Sequence, residues 1–282
     1  MNRTTIFILL ICISLNVCLT ATKKDEKKLS VKKDNNEPEI QKEKSEKGKK
    51  YFSDDFSEKK IINWKLEKWE EGKKVELEIK KERLWMKTNS RLHGCMLWCK
   101  KELPKDFLFE FDFTPVSEGK GFFLIFFCYK DKDGKDILEE KAWKDRKYRT
   151  LFKKYVKGKY NGYHISFRRG ASATCNFRKN AGMTLLKQHK LDKVLPKDKT
   201  YHVSLYKKGG HMILKVDDTV FMDYTDDGKE NGKVREGGRI ALRQVYDSEA
   251  FYDNIKITDL EKTDKKPLIL KDKEKEIVDE KK

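Results

Sequence analysis

Residues 107–113 read FLFEFDF, with Phe107, Phe109, Phe111 and Phe113 alternating against Leu108, Glu110 and Asp112. A two-residue period of this kind buries its phenylalanines together only in a pleated strand, because a helix would scatter them around its axis. The period recurs in VELEIK, where Val75, Leu77 and Ile79 alternate with Glu76, Glu78 and Lys80. GFFLIFFCY (Gly121–Tyr129) is instead a continuous apolar run, the pattern of a central strand covered on both faces. YHVSLYKKGGHMILKV reads as a hairpin turning at Lys207–Gly210, and GGRIALRQV and FYDNIKIT read as two more strands. Only Asp136–Tyr155 has a helical or irregular pattern. Many short strands with glycine turns predict an all-β fold, a sandwich or jelly roll built from antiparallel sheets.

The ends of the chain read differently. Arg3, an apolar run from Ile6 to Leu15 and the small or polar residues up to Ala21 predict a secretory signal over 1–21. The run is too short to span a bilayer and no second one follows, so an exported protein, periplasmic or extracellular, with no membrane span is expected. Cys18 raises lipoprotein anchoring, but Val17 stands before it where lipid attachment wants a small residue. Residues 22–50 hold no aromatic and are dominated by Lys and Glu, which predicts a disordered charged tether. Residues 51–260 have the size of one domain, expected to be a monomer, and 261–282 form a charged tail with one apolar patch at Pro267–Leu270.

Sixty-five Lys and Arg against 47 Asp and Glu leave a formal charge of +18. Such a chain suits acidic partners: nucleic acid, an anionic membrane or an acidic polysaccharide. Export and the lack of any nucleic-acid motif argue against nucleic acid. Lys and Glu are both abundant, so part of the surplus reflects a general richness in lysine. Cys95, Cys99, Cys128 and Cys175 follow the signal, and four cysteines allow three disulfide connectivities. Cys95 and Cys99 in one strand stand about 13 Å apart, too far to bridge each other. Their spacing fits no zinc pattern, so structural thiols and no metal are expected.

Alternation also assigns faces. In GYHISFRR, Tyr163, Ile165 and Phe167 point to the core and His164, Ser166 and Arg168 point away. In TCNFRK, Cys175 and Phe177 are core, opposite Thr174, Asn176 and Arg178. In CMLWC, Leu97 shares a face with Cys95 and Cys99, and Met96 with Trp98. In RIALRQ, Ile240 and Leu242 are core, opposite Ala241 and Arg243. If these strands share one concave sheet, its floor gathers Trp98, His164, Arg168, Asn176, Arg178 and Arg243. An aromatic platform with guanidinium groups suits a sugar bearing carboxylate or sulfate, which arginine grips with two hydrogen bonds.

LWCKKELP, FDFTP, NGYHISFRRG, TCNFRKNAG, YTDDG and GGRIALRQV occur in that order. With them, the stretch from about His93 to Leu260 resembles the YesU-like family, bacterial jelly rolls of the concanavalin-A-like lectin/glucanase superfamily. The resemblance implies the fold and a place in polysaccharide use, including that of pectin-type polymers, but it carries no catalytic residues. The chain departs from the family at Met183 and Thr184, where members carry an aromatic residue and a histidine.

Retaining glucanases of that superfamily place carboxylates two apart on a strand, as Glu110 and Asp112 stand here, but Thr114 occupies the third position. A polar outer strand face is the expectation for this pair. A polysaccharide lyase needs a base and charge-neutralising groups. His164 is the candidate base, Arg168, Arg178 and Asn176 are neutralisers, and Tyr160 or Tyr155 is the proton donor to the leaving oxygen. Trp98, Asn176, Arg178 and Arg243 are the candidate substrate contacts. KKYVKGKY (Lys153–Tyr160) interleaves tyrosine with lysine and is placed to cover such a groove. His189, His202 and His211 fall on loop or hairpin positions, and Asp226–Gly228 reads as a turn that could take calcium. The expected function is engagement of an acidic, uronic or sulfated polysaccharide, with degradation by β-elimination. A lectin-like binding protein and a glycoside hydrolase are the alternatives.

Overall fold

A computed structural model of the chain describes residues 48–68, 75–89, 94–118, 121–139, 152–169, 173–192 and 194–261. The expected signal, the expected tether as far as residue 47 and the tail beyond residue 261 lie outside the described residues.

Fifteen strands, among the described residues, form two antiparallel sheets. The eight-stranded sheet runs β13 (Thr219–Thr225), β12 (His211–Val216), β11 (Tyr201–Lys208), β6 (Phe107–Pro115), β15 (Ser248–Asp259), β4 (Arg83–Thr88) and β3 (Val75–Lys80), with β1 (Lys49–Asp54) also on β15. The seven-stranded sheet runs β10 (Thr184–Lys190), β9 (Thr174–Asn180), β8 (Tyr160–Arg168), β7 (Phe122–Asp131), β14 (Arg239–Val245), β5 (Cys95–Cys99) and β2 (Trp64–Lys68). One helix of six residues, α1 (Phe152–Lys157), precedes β8. The fold is the expected jelly roll. Strands β1, β4, β10 and β13 carry weaker alternation and were not anticipated, nor was β2 although WKLEK alternates, and β1 starts inside the stretch read as a tether. His202 and His211 lie in the two strands of the expected hairpin, β11 and β12, and His189 lies in strand β10.

The faces follow the two-residue period. Phe107, Phe109, Phe111 and Phe113 are all at most 1% exposed and meet Phe123, Phe167, Phe177 and Tyr252 between the sheets. Phe113 packs edge-on against Phe123 with ring centres 4.8 Å apart, and against Phe167 at 5.7 Å. Each such ring contributes roughly 1.5–3 kcal/mol by leaving water. The β11–β12 hairpin turns at Gly209–Gly210, with Gly209 at φ +54 and its N–H donating to Asp106 Oδ1 at 2.7 Å. A Cβ on Gly210 would stand 2.1 Å from the Asp226 carbonyl oxygen, so glycine is required there.

Among the described residues the four cysteines, Cys95, Cys99, Cys128 and Cys175, are buried, unbridged and part of this core. Burial pushes the thiols of Cys95, Cys128 and Cys175 up to about 12 and that of Cys99 up to about 11. The reactive thiolate is therefore scarce in the folded state. Near pH 8 the native, reduced protein should resist thiol labelling, and all four residues should label in denaturant. Fast labelling of native Cys175 would mean that β9 presents its other face to the core.

Candidate functional site

The seven-stranded sheet turns its second face away from the sandwich, and strand register lines up two rows across it. One row passes from Lys65 through Trp98, Ala241, Phe126, His164 and Arg178 to Leu185. The next passes from Glu67 through Met96, Arg243, Leu124, Ser166 and Asn176 to Gln188. Trp98 and Arg178 are four strand spacings apart, about 19 Å. The strands whose shared face was inferred from alternation are thus neighbours, and the residues assigned to that face lie on it.

The face is not open. Trp98 is 0%, His164 1% and Arg243 1% exposed. Ile137, Tyr155 and Val156 lie over them and join Met96, Leu124, Phe126 and Tyr129 in a second apolar cluster. The cover expected from residues 153–160 is therefore present, supplied by Tyr155 and Val156 of α1. The expectation of a solvent-facing floor is corrected for these three residues. Arg178 and Asn176 are half-buried, as is Tyr160.

Each side chain has defined company. Trp98 Nε1 donates to Glu67 Oε2 at 2.7 Å, and Tyr155 Oη donates to the same oxygen at 2.5 Å. The His164 ring stacks on Phe126 with centres 5.2 Å apart and planes at 15°. Its Nδ1 lies 2.8 Å from Asn180 Nδ2, which also donates to Tyr129 Oη at 2.7 Å. Arg178 Nη1 donates to the Met183 carbonyl at 3.0 Å, so Met183 supplies a backbone oxygen here. Asn176 donates to Thr174 Oγ1 at 3.0 Å and accepts from Gln188 Nε2 at 2.6 Å. Burial pulls Arg243 below the ordinary guanidinium value, against the opposing fields of Tyr155, Cys95, Glu67 and Tyr129.

Two parts of the expected lyase arrangement do not come together. Tyr160 and Arg168 sit at opposite ends of β8 with His164 midway, so each lies about 13 Å along the strand from the histidine. Arg168 is exposed and its guanidinium stacks 4.9 Å from the Phe122 ring and 5.5 Å from Tyr246. Tyr160 stacks on Tyr155 at 5.5 Å. The three side chains therefore start from separate points along β8 and are not side by side. His164 is also a poor base, because burial, then the charges of Arg178 and Arg243, lower its imidazole to about 3. An effective base near neutrality needs a value near the working pH.

Glu67, Asn180 and Tyr129 were not among the expected site residues. Glu67 was legible: Trp64 and Leu66 join the core, so Lys65 and Glu67 must face the other way. Tyr129 was not, because a bulge intervenes. Phe127 and Cys128 both enter the core, with Cys128 at φ +55, and this resets the phase so that Tyr129 joins Phe126 on the second face.

The other acidic candidates lie elsewhere. Glu110 and Asp112 are on the outer face of the eight-stranded sheet, where Asp112 meets His202 Nδ1 at 3.1 Å and Glu110 meets Lys256 at 3.3 Å. Asp226 accepts from Tyr163 Oη at 2.5 Å and from Gly228 N at 2.9 Å. It also pairs with Lys179 Nζ at 2.7 Å, both side chains being 0% exposed. The carboxylate read from sequence as a candidate calcium ligand is engaged by an ammonium group.

Two stability measurements test this geometry. The unfolded chain protonates His164 near 6.5 and the folded chain only near 3. Between those values the unfolded state binds more protons, so stability falls as pH drops through the window, by up to about 1.4 kcal/mol per pH unit. Urea unfolding of His164→Gln should give a correspondingly flatter curve between pH 4 and 6.5; a curve parallel to wild type would place the ring in water. Asp226→Ala leaves Lys179 buried and unpaired and should cost about 3–5 kcal/mol, read by the same unfolding titration.

A family model described as Domain of unknown function (DUF1961) matches residues 51–257. Among solved structures, the chain is similar to a Bacillus subtilis protein of unknown function with a galectin-like fold. The identity is 22% and the TM-score 0.65, over 75% of this chain and 96% of that one. It is also similar to a structure described for endo-acting O-glycanases that prominent members of the human gut microbiota express to initiate mucin breakdown. There the identity is 11% and the TM-score 0.50, over 74% and 99%. A carbohydrate-binding module from Bacillus subtilis aligns at 18% identity and a TM-score of 0.47, over 70% and 96%. No curated protein matches. At these identities the likeness shows the galectin-like, jelly-roll fold.

Proposed function

The chain belongs to the family described as Domain of unknown function (DUF1961), and from that premise we propose that it is an exported protein that binds an acidic, uronic or sulfated polysaccharide on the second face of its seven-stranded sheet. The observation that carries this reading is the pair of cross-sheet rows. They put Trp98, Arg178 and Arg243 on one face with His164 held neutral between them. Glu67 is the carboxylate in these two rows, so guanidinium charge exceeds carboxylate charge there. An anionic sugar would be held by the arginines bidentately, with Asn176 and the half-buried Arg178 at the accessible end. The fold shared with endo-acting O-glycanases supports a carbohydrate ligand, as does the resemblance to YesU-like proteins.

Binding is favoured over β-elimination on one specific ground. Elimination needs a base that takes a proton beside the uronate carboxylate near neutral pH, and an imidazole held at about 3 does not. Turnover of the polysaccharide, seen as unsaturated uronate ends or new reducing ends, would overturn the binding-only reading.

The direct test is calorimetric titration of the mature chain with oligogalacturonate and a sulfated oligosaccharide, with a neutral glucan as control. Arg178→Ala should weaken acidic-glycan binding by about 1.5–3 kcal/mol, the scale of hydrogen bonds to a charged group. Its stability should fall by no more than about 1.5 kcal/mol, the scale of the lost hydrogen bond to the Met183 carbonyl. Arg178→Lys should not restore affinity, because an ammonium cannot form the planar fork. Equal affinity in wild type and Arg178→Ala would remove this face from the binding surface.

A further inference from the structure

We propose that Trp98 and Glu67 form a subsite for a sugar ring, and that the side chain of Tyr155 fills it in the unliganded protein and leaves when glycan binds. The inference rests on the polysaccharide-binding reading and adds to it which groups hold a ring and what must move.

The geometry around Tyr155 is that of a captured ring. Its centre lies 5.9 Å from Trp98 with planes at 40°, and its hydroxyl donates to Glu67 Oε2 at 2.5 Å. Trp98 Nε1 donates to the same oxygen at 2.7 Å, so one carboxylate oxygen fixes both the platform's edge and the ring's hydroxyl. A pyranose offers the same two handles, an apolar ring face for the indole and a hydroxyl for the carboxylate. The phenol therefore satisfies the interactions a sugar would make at that spot.

The position of Tyr155 in the fold lets it depart without breaking either sheet. It belongs to neither sheet and comes from α1, a helix of six residues. Helices shorter than about 12 residues are marginal on their own and depend on what they pack against. Gly182 N–H donates to the Val156 carbonyl at 2.5 Å, a backbone tie from α1 to the β9–β10 turn. A strand of the sandwich would lose a whole ladder by moving; α1 would give up this tie, the Tyr155 bond to Glu67 and the ring contacts of Tyr155 with Trp98, Phe126, Tyr129 and Tyr160, which the bound sugar replaces in part.

The surrounding residues require the movement. Arg243 is fully covered and lies within the fields of Tyr155 and Glu67. A carboxylate or sulfate can reach the half-buried Arg178 at the rim without rearrangement, whereas Arg243, 1% exposed beneath the cover to which Tyr155 belongs, is reached only once that cover moves. Initial contact at Arg178 followed by exchange of phenol for sugar on Trp98 accounts for an arginine and a tryptophan buried on a face otherwise suited to a glycan.

The test uses the mature chain and oligogalacturonate. Tyr155→Phe keeps the packing but deletes the hydrogen bond to Glu67 that the sugar must break, so it should bind about ten-fold more tightly than wild type. In wild type, amide hydrogen exchange at Gly182 should speed up at least about ten-fold on saturation, because its acceptor moves away with α1. Binding by Tyr155→Phe alone, with wild type inert, would also support the proposal. Binding by both proteins with equal affinity and unchanged Gly182 exchange would overturn the subsite. If Arg178→Ala still weakened binding in that case, the polysaccharide reading would stand without it. Absence of binding by either protein would remove both.

Discussion

Strand β7 must be covered on two sides at once. Phe123, Ile125 and Phe127 enter the sandwich, while Leu124, Phe126 and Tyr129 emerge on the opposite face of the same sheet. The eight-stranded sheet can shield the first set and has no access to the second. Leaving Leu124, Phe126 and Tyr129 in water would expose a broad aromatic patch at the centre of the molecule. Ile137 and α1 supply the missing layer with Tyr155 and Val156. The third layer of the fold follows from this one strand.

That layer has a consequence for every polar side chain caught beneath it. Glu67, His164, Asn180 and Arg243 are each at most 1% exposed. A charged or polar group in such a place costs several kcal/mol unless it is partnered. Trp98 and Tyr155 partner Glu67, Asn180 joins Tyr129 to His164, and the histidine gives up its charge altogether. A second buried pair, Lys179 with Asp226, is closed in the same way by Tyr163 and Gly228. Apolar residues of similar volume would fill the second face at lower cost. Under the proposed function, the polar groups held beneath α1 against that cost are the ones that would meet the glycan.

The arrangement also separates holding from chemistry. A neutral, stacked imidazole can position a sugar hydroxyl but cannot draw a proton from carbon near neutral pH. The guanidinium groups are spread along the rows and down β8, with Arg168 beside Phe122 and Tyr246 at the strand's far end. In the proposed reading, cations distributed along this face would meet successive anionic groups of a polymer.

The two-residue period by itself determined which way each side chain points in the strands it marks. Tyr163, Ile165 and Phe167 against His164 and Ser166, and Leu97 against Trp98, were readable because strand geometry is local and each residue's direction depends only on its neighbours in sequence. Glu67 was readable on the same terms. Tertiary structure decided the rest. The bulge at Cys128 shifted the phase of β7, which a continuous apolar run cannot reveal because every residue in it suits either face. The separation of Tyr160, His164 and Arg168 depended on β8 being one unbroken strand. The burial of the polar face depended on Tyr155 reaching a carboxylate 88 residues away in the chain. Direction is set by the pleat of a single strand, but exposure is set by whatever the rest of the chain lays over it.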